Sequence, residues 1–211
     1  MSSNPASLIE YANLNPAATA DEVRALCDVA AHSGYAAVLV QPYWLRLARA
    51  HLGKESAVQV GTVIGYPLGA EIASVKGLAA RLAVTDGAQL LAFVLNPAVL
   101  LNDPPASAQE IAYVVKQARL AADDAVEVTL IFESSLLSAA QVQTVVAAAQ
   151  QGRPDYLQPA SGFGDRQTSE QQLLALRGAG LKLKAAASSN GNALVQAGAQ
   201  RLVVPVEAGS R

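Results

Sequence analysis

The sequence predicts a single (β/α)8 barrel over residues 1–211, and three observations carry that prediction. Apolar runs of four to eight residues alternate with longer segments of helical period, each bounded by a Gly, Pro, Asn or Ser turn signal. Eight such runs occur, and eight βα units in about 200 residues close naturally into a barrel, at the low end of the size range for that architecture. Neither G-x-G-x-x-G nor G-x-x-x-x-G-K-[ST] occurs, which counts against the competing open, doubly wound sheet with its phosphate fingerprint.

Taken in order, the predicted strands are 8–14, 37–41, 58–65, 90–96, 126–133, 155–159, 181–186 and 201–205. Thr19-Ala20-Asp21-Glu22 has the form of a capping box, so a helix starts there and runs to about His32. Further helices are predicted over 42–52, 72–86, 106–122, 139–151, 169–179 and 190–197. Gly34, Gly53, Gly87, Gly152, Gly180 and Gly198 fall where a left-handed residue would end each helix. Nothing in the composition marks a linker or a second domain.

The chain is 52% hydrophobic and 15% charged, with no apolar run long enough for a membrane span. Met1-Ser2-Ser3-Asn4-Pro5 lacks the basic and apolar regions of a secretory signal, so a cytoplasmic location is the expectation. Cys27, the lone cysteine, shares an apolar helix face with Val23, Leu26 and Ala30, and reads as a small core residue. A net charge of -2 with interspersed signs offers no basic stripe for nucleic acid and no polybasic membrane anchor. A small polar molecule or a protein is the expected partner. His32 and His51 fall on outer helices as surface residues, and neither a metal cluster nor a Ser-His-Asp set is visible, so no cofactor or metal is expected.

Alternate residues of a barrel strand face the lumen. In the fifth strand Glu127, Thr129, Ile131 and Glu133 share one face, while Val128, Leu130 and Phe132 share the other. In the seventh, Lys182 and Lys184 lie opposite Leu181 and Leu183. A lumen lysine near a carboxylate is the arrangement for imine formation on a carbonyl, and it is equally that of a structural ion pair. Lys182 is read as the structural partner of Glu127 or Glu133, and Lys184 stands evenly between the two roles.

Several segments then resemble one family in the right order: Tyr35-Ala-Ala-Val-Leu-Val-Gln-Pro-Tyr-Trp44, Gly61-Thr-Val-Ile-Gly-Tyr-Pro-Leu-Gly-Ala70, Val75-Lys76 and Asp86-Gly87-Ala88. Glu133-Ser-Ser-Leu-Leu137, Ser161-Gly-Phe-Gly164 and Gly198-Ala199 extend the series. The chain resembles the deoxyribose-phosphate aldolase family over nearly its whole length, most strongly over 34–88. That resemblance implies a (β/α)8 barrel and a cofactor-free class I cleavage of 2-deoxyribose 5-phosphate to glyceraldehyde 3-phosphate and acetaldehyde.

It also implies where the chemistry has departed. The family's Schiff-base lysine lies on the sixth strand in a V-K-T-S-T-G-F-like stretch; here Leu157-Gln158-Pro159-Ala160-Ser161-Gly162-Phe163 puts Gln158 there, and an amide cannot form an imine. The family's proton-shuttling aspartate, in a G-A-D-E-I-D-like stretch, is matched by Ala92 in Gly87-Ala88-Gln89-Leu90-Leu91-Ala92. Lys184 occupies the retained seventh-strand position, whose family role is to favour the nucleophile's free amine by like-charge repulsion. The phosphate-cradling turns have become Ala187-Ser188 and Val203-Val204-Pro205-Val206-Glu207; Pro205 has no amide to donate and Glu207 repels a dianion. The first strand, Glu10-Tyr11-Ala12-Asn13-Leu14-Asn15-Pro16, departs from D-H-T-L-L-K-P.

The expectation is a diverged member without normal aldolase activity, binding a small polar ligand or a protein through Glu10, Asn96, Glu133, Gln158, Ser161 and Ser188 at the rim. Lys184 is the catalytic candidate, with Gln158, Lys184, Glu133 and Ala92 all facing the lumen near its C-terminal mouth. As alternatives, Lys184 serves as the Schiff-base nucleophile of a working aldolase, or Glu133 and Lys184 act as acid and base in other chemistry. Against the first, Lys184 has no neighbouring ammonium, and Glu133 nearby would hold it charged. A homodimer is also expected, with Tyr43 and Trp44 supplying exposed aromatic area.

Overall fold

In the computed structural model, which describes residues 5–122, 125–188 and 190–206, eight parallel strands close on one another in chain order. They are β1 (Ile9–Asn13), β2 (Ala37–Val40), β3 (Gln59–Ile64), β4 (Leu90–Val94), β5 (Glu127–Ile131), β6 (Tyr156–Gln158), β7 (Lys182–Ala186) and β8 (Arg201–Pro205). The ring is sealed where Glu10 of β1 sits opposite Val203 of β8. Strand ends fall one or two residues inside the predicted runs at most places, because the outermost residues leave the ladder for the rim loops.

The period-two pattern decides which side chains go where. Val38, Val60, Leu91, Phe93, Val128, Leu130, Leu157 and Leu183 point outward into one continuous layer with the helices. Ala92, Val63, Val94 and Ile131 form a separate apolar cluster inside the barrel, and Ala12, Leu39 and Val203 form another. Among the described residues no helix is long and apolar enough to cross a membrane.

Eight α-helices wrap the strands: α1 (Ala20–Ser33), α2 (Leu45–Leu52), α3 (Ala73–Thr85), α4 (Pro97–Asn102), α5 (Pro104–Ala122), α6 (Ala139–Gly152), α7 (Glu170–Leu176) and α8 (Gly191–Ala197). The box at α1 forms in both directions, with the Thr19 amide donating to Glu22 Oε2 at 2.7 Å and the Glu22 amide donating to Thr19 Oγ1 at 3.3 Å. Ser138 with Gln141 and Ser169 with Gln172 build the same reciprocal cap at α6 and α7. Helix α4 was not foreseen, although an N-cap Asn followed by Pro at the first helical position is its signal. The segment predicted as one helix over 42–52 begins as a 3-10 turn, Pro42–Trp44, before α2.

Two predicted helix ends need correction. Gly152 is the last residue of α6, and the left-handed position belongs to Arg153 at φ 55°. Glycine stands at 152 for another reason: a Cβ there would lie 2.6 Å from Ile111 Cγ2, so its absence lets α5 and α6 pack closely. Helix α7 ends at Leu176, leaving Gly180 in the following turn. Cys27 is fully buried, and burial, with Asp28 adding to it, pushes its thiol up to about 11, so it stays a protonated core residue.

One buried ion pair fixes the rim. The Lys76 ammonium on α3 donates to the carbonyls of Gly69 at 2.7 Å and Val94 at 2.8 Å and to Glu110 Oε1 at 2.6 Å, using all three protons. Both side chains are almost wholly buried. Burial raises the Glu110 pKa, against the opposing pull of Lys76. The pair ties the loop after β3 and the end of β4 to α5. Gly69 completes that junction: its φ is +65°, and a Cβ would lie 2.5 Å from the Leu95 carbonyl oxygen.

Candidate functional site

At the C-terminal mouth the end of β5 delivers Glu133, and the loop after β6 delivers Ser161 and Phe163. The Ser161 amide donates a short hydrogen bond to Glu133 Oε1, and Arg166 stands 3.5 Å from Glu133 Oε2. Gln158, at the end of β6, is 1% exposed; its Nε2 donates to the Ala160 carbonyl at 2.8 Å, while Oε1 is buried with no hydrogen-bond partner among the described residues. Phe163 meets Tyr66, from the loop after β3, edge to face with centroids 6.2 Å apart. Burial first, and the Glu133 charge second, push the Tyr66 hydroxyl up to about 12, so it remains a neutral donor and acceptor. The mouth thus presents a carboxylate, an orphaned amide oxygen, a guanidinium and an aromatic rim around the apolar wall containing Ala92.

Lys184 belongs to a different layer. It is 1% exposed and faces the lumen, but its ammonium turns toward the N-terminal half of the barrel, 2.7 Å from Glu10 Oε1 and 3.4 Å from Glu127 Oε1. It also lies 4.6 Å from the centroid of the Tyr156 ring, a cation–π contact. Glu10 is fully buried, and its Oε2 has no hydrogen-bond partner among the described residues.

Several expected placements are therefore corrected. The Glu127 pair is made by Lys184 and not by Lys182, which is exposed and lies over the Tyr156 ring at 5.3 Å. Glu133 is not the partner of Lys184; it is occupied by Ser161 and Arg166. Glu10 sits beneath Lys184 and not at the rim, because it is the second residue of its strand. Asn96 accepts from the amides of Ala98 at 3.0 Å and Val99 at 3.3 Å as the N-cap of α4, outside the lumen. There it lines a cavity of about 510 Å³ among the starts of α3, α4 and α5, with Glu71, Gln109 and Tyr113. Ser188 is exposed in the loop after β7 and Pro205 is exposed as the last residue of β8, while Glu207 lies outside the described residues. His51 is not simply solvated: its Nε2 is 2.7 Å from Asp28 Oδ1.

Sequence reasoning missed Tyr156 as the floor of the Lys184 site, although Tyr156 and Gln158 share a strand face at the spacing used for the other strands. Two carboxylates on one lysine leave Glu127 with a raised pKa; its burial is the largest cause and Lys184 opposes it. A carboxyl raised on folding favours the folded state below its unfolded value, near 4.3, and loses that contribution as pH rises through the folded value. Glu127→Gln, neutral throughout, is expected to gain stability relative to the parent as pH rises from about 4 to 7. Urea melts across that range check it, and parallel stability curves for parent and variant would contradict the reading.

No family model matches the chain. The deoxyribose-phosphate aldolase of Thermococcus gammatolerans is 32% identical over 206 residues, covering 93% of this chain and 90% of that protein. That of Shouchella clausii is 30% identical over 209 residues, covering 96% and 92%. Among solved structures, the tetrameric deoxyribose phosphate aldolase of Aeropyrum pernix superposes with a TM-score of 0.84 at 25% identity, covering 94% of this chain and 86% of that one.

Proposed function

The chain belongs to the deoxyribose-phosphate aldolase family, and from that premise we propose that it is a diverged member that binds a small polar ligand at the barrel mouth without Schiff-base aldolase chemistry. The observation that carries this reading is the division of the lumen into two layers. At the mouth, where the resemblance assigns the nucleophile, stands the amide of Gln158, and Ala92 takes the place of the proton-shuttling carboxylate. Lys184, the lumen amine of the seventh strand, is engaged below by Glu10 and Glu127.

To attack a carbonyl Lys184 must first give up a proton, and the neutral amine would leave Glu10, a fully buried carboxylate, without its counter-charge. Removing one partner of a buried ion pair costs about 3–5 kcal/mol, which opposes the rescue of catalysis by that lysine. The ligand chemistry follows from the groups left unsatisfied. The buried Oε1 of Gln158 accepts an N–H or O–H, Arg166 and Glu133 supply a polar edge, and the Tyr66 and Phe163 rings give an apolar one. Pro205, with no amide proton, disfavours a phosphate at the eighth-strand turn.

Borohydride reduction in the presence of acetaldehyde, followed by mass spectrometry, tests the proposal. No adduct at any lumen lysine is expected. A reduced ethyl adduct on Lys184 would overturn the proposal and assign that residue as the nucleophile of an active aldolase.

A further inference from the structure

We infer that the ligand class of the barrel mouth is a primary ammonium carried on a small hydrocarbon body, an inference that deepens the proposed function and rests on it. Two buried side chains hold the two ends of one peptide group. Gln158 Nε2 donates to the Ala160 carbonyl at 2.8 Å, and the Ser161 amide of the same peptide donates to Glu133 Oε1. The first bond fixes which way the Gln158 amide points, since turning it over would set oxygen against oxygen. Each side chain keeps one oxygen, Gln158 Oε1 and Glu133 Oε2, that is buried without a hydrogen-bond partner among the described residues. The two residues are 1% and 6% exposed, so neither oxygen is simply solvated.

The balance of donors and acceptors selects the head group. The amide donors of the loop after β6 are spent within it: the Gly162 amide goes to the Arg166 carbonyl at 2.9 Å, the Phe163 amide to Ser161 Oγ at 3.3 Å and Gln167 Nε2 to the Gly162 carbonyl at 3.3 Å. What stands unused is a set of acceptors. An ammonium carries three donors and no acceptor, so it satisfies them and leaves no orphan of its own. A carboxylate or phosphate brings only further acceptors, and a hydroxyl brings an oxygen that itself wants a donor. Glu133 also supplies the charge. Arg166 lies 3.5 Å from its Oε2 with a side chain 38% exposed, too far for a charge-assisted hydrogen bond, which leaves that oxygen open to a second cation.

The hydrocarbon body follows from what borders these oxygens. Gln158 stands beside Ile131 in the ladder, and Glu133 follows Ile131 by two residues on the same face. Ile131 belongs to the apolar wall with Ala92, Val63 and Val94, against which Tyr66 also packs. Access is over the loop after β6, where Phe163 is 50% exposed between Gly162 and Gly164. A segment so exposed moves aside at small cost.

Isobutylammonium, isobutanol and isobutyrate share one hydrocarbon body and differ only in head group, and titrating each into the isotope-labelled full chain, followed by NMR, tests the inference. Isobutylammonium is expected to bind saturably and to shift the Ser161 amide and the Gln158 side-chain amide. It should bind about 10-fold or more tighter than isobutanol, the worth of one charge-assisted hydrogen bond. Glu133→Gln keeps the shape and the acceptor for Ser161, and should weaken it by about the same factor. Arg166→Gln removes a like charge and should tighten it; for a carboxylate ligand the same change would weaken binding. Thermal melts establish that both variants fold. Isobutanol or isobutyrate binding at these residues as tightly as the amine overturns the ammonium assignment and leaves the mouth a site for other chemistry. Absence of saturable binding by all three, or shifts confined to residues outside the mouth, overturns it as well. The lack of Schiff-base chemistry is judged separately, by the borohydride trap.

Discussion

Incubated with 2-deoxyribose 5-phosphate, the purified protein is expected to release no measurable acetaldehyde or glyceraldehyde 3-phosphate. Covalent catalysis and proton transfer are separate contributions, and a positioned acid–base group alone supplies about 10² to 10⁴-fold. On the proposed reading the mouth has neither. Gln158→Lys restores the amine only, so it should recover little activity. Ala92 lies in an apolar wall with Val63, Val94 and Ile131, and Ala92→Asp alone buries a carboxylate there without a counter-charge. The two substitutions are therefore expected to be strongly non-additive, because the new ammonium and the new carboxylate pair with each other. A coupled assay of all four proteins checks this. If the parent cleaves the sugar phosphate at the rate of ordinary family members and Lys184→Met abolishes it, the proposed function is wrong.

Lys76→Met is expected to give the largest loss of stability of any single side-chain change considered. It leaves Glu110 buried and unpaired and removes the donor from the Gly69 and Val94 carbonyls. Breaking a buried pair in this way costs about 3–5 kcal/mol. For a chain of this length each kcal/mol lowers Tm by about 2–4 °C, so a drop on the order of 10 °C is the expected result. The deficit should shrink at acid pH, where Glu110, its pKa already raised by burial, takes up a proton and no longer needs a counter-charge. Lys76→Met with Glu110→Leu should recover much of the loss. A thermal melt of Lys76→Met within 1–2 °C of the parent, against the ~10 °C drop derived above, would mean that the pair does not hold the rim together.

The barrel and its facing pattern were legible in the sequence for a local reason. Strand alternation places Val128, Leu130 and Phe132 outside and Thr129 and Ile131 inside whatever the rest of the chain does, and Thr19 with Glu22 closes its cap within one helical turn. The polar lumen residues were named from the same periodicity. What periodicity cannot supply is height along the barrel axis. Glu10, Glu127 and Lys184 are far apart in sequence, and only the closed ring, with β1 beside β8 and its stagger around the axis, sets their relative level. That stagger took Lys184 away from Glu133 and down to Glu10 and Glu127. Lys76 and Glu110 were equally unreadable as a pair, since helix periodicity marks a buried face but not which buried charge on a neighbouring helix will meet it. Sequence alone thus determined the architecture and the inventory of inward-facing groups. Tertiary structure decided their partners, because a charge enters a low-dielectric interior only where closure of the fold brings its counter-charge to within about 3 Å.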